Sequence, residues 1–247
     1  MERIAGRTVK VVVLIPPNAN MHSYEPAAKQ ALEAGKSAVW FLFGESIETR
    51  LKGSLMANHP HLKVVDLRRG LTLVGGSCKG CCSSGGQDIH IWMSPRLLQQ
   101  QAKTVAEALS ILYPEHAALY QANLAKHLTE LQHLEQGMAT ILKPLEGKTI
   151  LVTHPDYTYF CADYGLQQLP IEFEGKDPSP RQLTELLTTA RKLGITTVFT
   201  TPQYPIKIAS LVAGQIGAKV VVLDPFREDY LENLRTIAQS FVRHTQR

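Results

Sequence analysis

Apolar positions along this chain fall into two kinds of run. Short β-branched or aromatic runs alternate with longer stretches whose apolar residues recur every three or four positions, and turn-forming residues separate the two. The run 9–15, closed by Pro16 and Pro17, reads as a buried strand. A loop over 18–22 leads to a short helix over 26–34, which Gly35 can end in the left-handed conformation. Strands are predicted over 37–43 and 63–67. The glycine- and serine-rich segment 75–86 has no periodicity and reads as a surface loop. Ser94-Pro95 then opens a helix over 95–112, with Ser94 as N-cap and Pro95 at the first helical position. From 115 to 142, Leu124, Leu128, Leu131, Leu134, Met138 and Ile141 step along one helix face. That helix spans roughly 40 Å at 1.5 Å per residue, longer than one small lobe, and reads as a strut.

The second half restarts the alternation. Strands are predicted over 148–153, 195–200 and 219–223, with helices over 180–193, 205–215 and 230–244. Strands alternating with helices imply parallel sheets with helix-covered faces. The expected architecture is α/β: an N-terminal lobe over 1–114, a linking helix over 115–143 and a C-terminal lobe over 144–247.

Composition narrows the class. The 247 residues suffice for one large or two small cores, and 44% apolar with 19% charged residues is globular usage. A net charge of +4, scattered along the chain, gives no basis for a nucleic-acid partner. No window approaches the roughly 20 apolar residues of a membrane span. Met1-Glu2-Arg3-Ile4 lacks the apolar region of a signal peptide, so the chain is expected to be cytosolic or a mature form whose leader has been removed. Cys78, Cys81 and Cys82 crowd into one loop and Cys161 stands alone, which makes no even disulfide framework.

The candidate chemistry lies at strand ends and helix starts. His154 follows one predicted strand and Asp224 another. His22 follows the run 9–15 through a short loop, and His90 precedes the Ser94-Pro95 helix, braced by Trp92. In open parallel sheets ligands bind beyond the carboxyl ends of the strands, so the four can meet in a cleft between lobes. Three imidazoles and one carboxylate suit a borderline cation such as zinc. Taken singly, each is better explained by a loop histidine or by the turn-forming Asp224-Pro225. His59, His61, His116, His127, His133 and His244 read as solvated, and His127 and His133 lack helical metal-pair spacing.

The segments 22–26 (His-Ser-Tyr-Glu-Pro), 88–95 (Asp-Ile-His-Ile-Trp-Met-Ser-Pro), 154–160 (His-Pro-Asp-Tyr-Thr-Tyr-Phe), 177–183 (Asp-Pro-Ser-Pro-Arg-Gln-Leu) and 220–225 (Val-Val-Val-Leu-Asp-Pro) occur in this order over nearly the whole chain. Together they resemble the metal-receptor proteins of bacterial ABC importers for zinc and manganese. The resemblance implies two α/β lobes joined by one rigid helix, with metal ligands at His22, His90, His154 and Asp224. It further implies an extracytoplasmic monomer that binds Zn2+, or alternatively Mn2+ or Fe2+, and passes it to the permease of a membrane ABC importer without covalent chemistry. Three features depart from the pattern. The family carries a further strand and helix ahead of Arg3-Ile4-Ala5-Gly6. The cysteine loop stands where zinc-binding members often carry histidines and acids. Ile89 replaces the usual proline. A zinc hydrolase is the alternative from another class, but four protein ligands leave no open position for water and there is no H-E-x-x-H helix. Glu25 is read as a group that orients a ligand.

Overall fold

One long helix joins two parallel sheets in the structure, a computed structural model that describes residues 1–16, 19–76, 86–173 and 176–245. The first lobe holds α1 (Glu2–Ala5), α2 (Ala28–Gly35), β1 (Val39–Leu42), α3 (Ser46–Asn58), β2 (Lys63–Asp66) and α4 (Pro95–Leu112). The strut is α5 (Ala117–Leu142), entered through a single 3-10 turn, Pro114–His116. The second lobe holds β3 (Thr149–Val152), α6 (Thr158–Tyr164), β4 (Gln167–Pro170), α7 (Pro180–Lys192), β5 (Thr197–Thr200), α8 (Ile206–Ile216), β6 (Lys219–Val222) and α9 (Tyr230–Thr245). None of the described helices is long and apolar enough to cross a membrane.

The second sheet has the order β4-β3-β5-β6, all parallel, with every residue of β5 buried. The first is a parallel pair, β1 with β2, in register from Val39 opposite Lys63 to Leu42 opposite Asp66. The run 9–15 is not a strand. It lines a cavity of about 380 Å³ together with Val39 and Phe41 of β1, and it forms no ladder with that strand. Val12 and Val13 are consequently exposed. β-branched composition favours the extended conformation, but a strand also needs a neighbour at hydrogen-bonding distance.

Helix starts follow the local chemistry. Ser94 Oγ accepts the Leu97 N–H at 3.0 Å to open α4. At α7, Ser179 and Gln182 cap each other reciprocally. Glu48 gathers the backbone N–H groups of Phe43, Gly44 and Glu45 at the head of α3. Along α5, Tyr120 and Leu124 pack into the first-lobe core, whereas Leu134, Met138 and Leu142 pack into the second. His127 belongs to this buried face and is not solvated; burial lowers its pKa, although Glu130 at 3.4 Å opposes the shift.

The lobes are also tied directly. Met93, from the turn after His90, sits in the second-lobe core, and Tyr159 of α6 sits in the first. Hydrogen bonds cross between them, among them Thr158 to Asp88 Oδ2 (2.6 Å), Tyr159 to the Asp88 carbonyl (2.7 Å), the Val74 N–H to the Tyr159 hydroxyl (3.3 Å), Ser94 to Asp163 (2.5 Å) and Tyr230 to the Trp92 carbonyl (2.6 Å).

Candidate metal centre

Three histidines converge where the lobes meet, and each is oriented the same way. The His22 backbone N–H is held by Asn20 Oδ1 at 3.0 Å, and its ring Nδ1 faces Glu45 Oε2 at 3.2 Å. Glu45 is the buried N-cap residue of α3. His90, fully buried, sends both its backbone N–H and its ring Nδ1–H to Asp88 Oδ1 at 2.8 Å. Thr158 and Tyr159 anchor Asp88 from the second lobe, and the Trp92 ring meets the His90 imidazole edge-on at 5.2 Å. His154, one residue beyond the extension of β3, directs Nδ1–H to Glu172 Oε2 at 2.6 Å, and Tyr204 stacks on its ring at 4.9 Å.

A carboxylate on Nδ1 fixes the tautomer, makes the imidazole more basic and aims Nε2 the other way. The result is visible in the distances. The Nε2 atoms of His90 and His154 lie 3.3 Å apart, and one ring nitrogen from each of His22, His90 and His154 falls within 4.8 Å of the other two. Such a group can hold a cation that accepts nitrogen ligands.

The field around the three rings is negative. Burial disfavours the His90 cation, but its hydrogen bond to Asp88 and the charges of Asp88, Asp156 and Glu45 outweigh it and raise the pKa to about 9. His154 moves well below its usual value, through burial and then the proximity of His90 and His22. Asp88 is opposed by burial yet held below the usual carboxylate range by His90 and Thr158. Asp156, fully buried, is pushed up to about 6 by burial against the pull of His90 and His22.

Asp224 stands apart from this tight group. Its Oδ1 accepts from Gln203 Nε2 and from the Phe226 N–H, both at 3.0 Å. Glu25 does not orient a ligand: it is exposed and pairs with Arg50 at 2.9 Å, because the chain turns away after His22 and Glu45 takes the place behind that ring. The cysteine loop, with Cys78, Cys81 and Cys82, lies outside the described residues. Cys161 is buried and its thiol is pushed up by burial.

A family model described as ZnuA, the periplasmic component A of a zinc-uptake complex, matches residues 1–244. The chain belongs to that family. A crystal structure of ZnuA superposes with a TM-score of 0.93 at 36% identity, covering 99% of this chain and 94% of that one. A ZnuA deletion mutant with zinc bound superposes at 0.92, also with 36% identity, over 100% of this chain and 93% of the other. A putative metal-binding protein of Chlamydia muridarum is 30% identical over 243 residues, 98% of this chain and 86% of that protein. ZnuA family membership thus accords with the two-lobe architecture and with a site for a metal ion.

Sequence reasoning missed the groups behind the rings. Asp88 lies two residues before His90, a spacing that lets a loop carboxylate turn toward its neighbour's ring, whereas Asp156, two residues after His154, faces His90 instead. Glu45 and Glu172 carry no such signal, being 23 and 18 residues from the histidines they contact.

Proposed function

We propose that this protein is the extracytoplasmic zinc receptor of an ABC importer. It captures Zn2+ with His22, His90 and His154 and hands it, as a monomer, to the membrane permease. The observation that carries this reading is the threefold repetition of one unit, an imidazole whose Nδ1 rests on a carboxylate and whose other nitrogen faces the cleft. A core histidine needs one hydrogen bond to be satisfied. Three of them, braced alike and brought within a few ångströms of each other from separate parts of the chain, are explained by a shared cation. Three nitrogens also favour zinc over manganese, which prefers oxygen ligands. Binding and release require no bond-making, and no catalytic step is assigned to the site.

The test is metal analysis of the purified protein together with a chelator-competition titration. One zinc per chain is expected. His90→Ala should weaken binding by orders of magnitude, while His133→Ala, on the exposed face of α5, should bind like the parent. If His90→Ala binds zinc as tightly as the parent, the site is elsewhere.

A further inference from the structure

Among the described residues, Asp156 is a carboxylate in the cleft with both oxygens buried and without a hydrogen-bond donor. It lies on the turn between β3 and α6, two residues after His154, and its side chain is completely buried. Neither carboxylate oxygen has a hydrogen-bond partner among the described residues. Its backbone N–H is satisfied by the His154 carbonyl at 2.9 Å, so the turn itself does not require an acid here. A buried carboxylate without donors costs several kcal/mol unless a cation answers it. Its Oδ1 is 3.6 Å from His90 Nε2, the nitrogen that in turn lies 3.3 Å from His154 Nε2. Zinc bonds of about 2.0–2.1 Å in a tetrahedron place neighbouring donor atoms roughly 3.3 Å apart. The His90–His154 separation already has that length and the Asp156–His90 separation is close to it, although Asp156, like Asp224, lies outside the group whose donor atoms are all within 4.8 Å of one another, so its side chain must swing inward to join them.

Asp224 is differently placed. Its Oδ1 already holds two donors, Gln203 Nε2 and the Phe226 N–H, which satisfy it without a metal. Using that oxygen as a ligand would sacrifice existing bonds, whereas Asp156 has none to lose.

We propose that Asp156, and not Asp224, supplies the anionic fourth donor to the metal held by His22, His90 and His154. The inference rests on the zinc-receptor reading above. Asp156 would neutralise one charge of the dication from within the cleft, leaving Asp224 to fasten the loop that carries Phe226, whose ring lies 5.6 Å from that of Trp92.

The experiment compares the parent with Asp156→Asn and Asp224→Asn, both close in shape to the native residue. Zinc affinity is read by chelator competition, and coordination by the visible spectrum of the Co2+-substituted protein. Asp156→Asn should weaken zinc at least about tenfold and alter the Co2+ spectrum. Asp224→Asn should leave the spectrum unchanged and lose much less affinity. Metal-free Asp156→Asn should keep the parent's circular dichroism spectrum and a single cooperative melt, so loss of binding cannot be ascribed to misfolding. Parent-like affinity and spectrum in Asp156→Asn, or an equal or larger loss in Asp224→Asn, would overturn the assignment. Failure of the underlying reading is separate and would show as no zinc binding by the parent or none lost in His90→Ala.

Discussion

Zinc capture at this site has to displace a proton, and the structure says from where and over what range. His90 titrates at about 9 in the metal-free protein, against an ordinary 6.5, because the Asp88 bond and the surrounding carboxylates outweigh the cost of its burial. At pH 7 the ring is then mostly protonated, and its Nε2 carries the proton that zinc must replace. Two pH units between 7 and 9 correspond to a penalty of about 100-fold in apparent affinity, or about 3 kcal/mol. His154 is depressed well below 6.5 and adds no competing proton near neutrality. Apparent zinc affinity should therefore rise about tenfold per pH unit between roughly 6.5 and 9, then level off. Calorimetry at pH 7.5 in buffers of different ionisation enthalpy should give about one proton released per zinc from this ring. Stability without metal runs the opposite way. A histidine raised from 6.5 stabilises the fold fully below 6.5 and loses that contribution as pH rises through 9, a change of about 3 kcal/mol. Asp156, raised to about 6, loses its stabilising protonation earlier, between the ordinary 3.8 and 6. The metal-free melting temperature should thus decline toward alkaline pH while the increment conferred by zinc grows. Affinity that is flat from pH 6 to 8, with no proton released, would refute the placement of a protonated His90 at the centre of the site.

Glu172→Gln keeps the shape of the side chain but removes the charge 2.6 Å from His154 Nδ1, and should weaken zinc by about 10- to 100-fold in a competition titration. Deleting residues 77–85 removes the cysteine loop, and equilibrium affinity at the cleft should be unchanged; a large loss would make that loop part of the site. Solution scattering of metal-free and zinc-loaded protein should give nearly superimposable curves, because α5 packs into both cores and several hydrogen bonds cross between the lobes. A large increase in radius of gyration on metal removal would contradict this.

The helices were legible because their signals are local. Ser94-Pro95 and Ser179-Pro180 cap as their residue types require, and the leucine steps of 115–142 match the buried face of α5. α3 was missed because Lys52-Gly53-Ser54 interrupts its apolar spacing, and Glu48, which closes its start, acts through backbone donors that no pattern displays. β4 was missed because Gln167-Gln168-Leu169-Pro170 looks polar; it is an edge strand, where a proline is tolerated. The run 9–15 failed for the converse reason, having strand composition with no ladder partner. His154 and His90 could be picked out by their places past a strand end and before a helix start, whereas the run that pointed to His22 is not a strand, and Glu45 and Glu172 depend on which distant segments the fold brings together.

Those carboxylates set the character of the cleft. Asp88, Glu45 and Glu172 stand behind three imidazoles, and Asp156 lies beside one of them without donors. All four are buried or nearly so, in surroundings where unscreened charge is costly. In the metal-free protein the His90 imidazolium, facing the neutral Nε2 of His154 at 3.3 Å, answers part of that negative charge. Zinc brings two positive charges in place of one proton and leaves the field better balanced than before. The carboxylates thus supply the attraction for a cation, whereas the convergent nitrogens decide which cation is kept. A dication that prefers oxygen feels the same field but meets imidazoles first, since three of the four acids are turned toward Nδ1 and not toward the cleft.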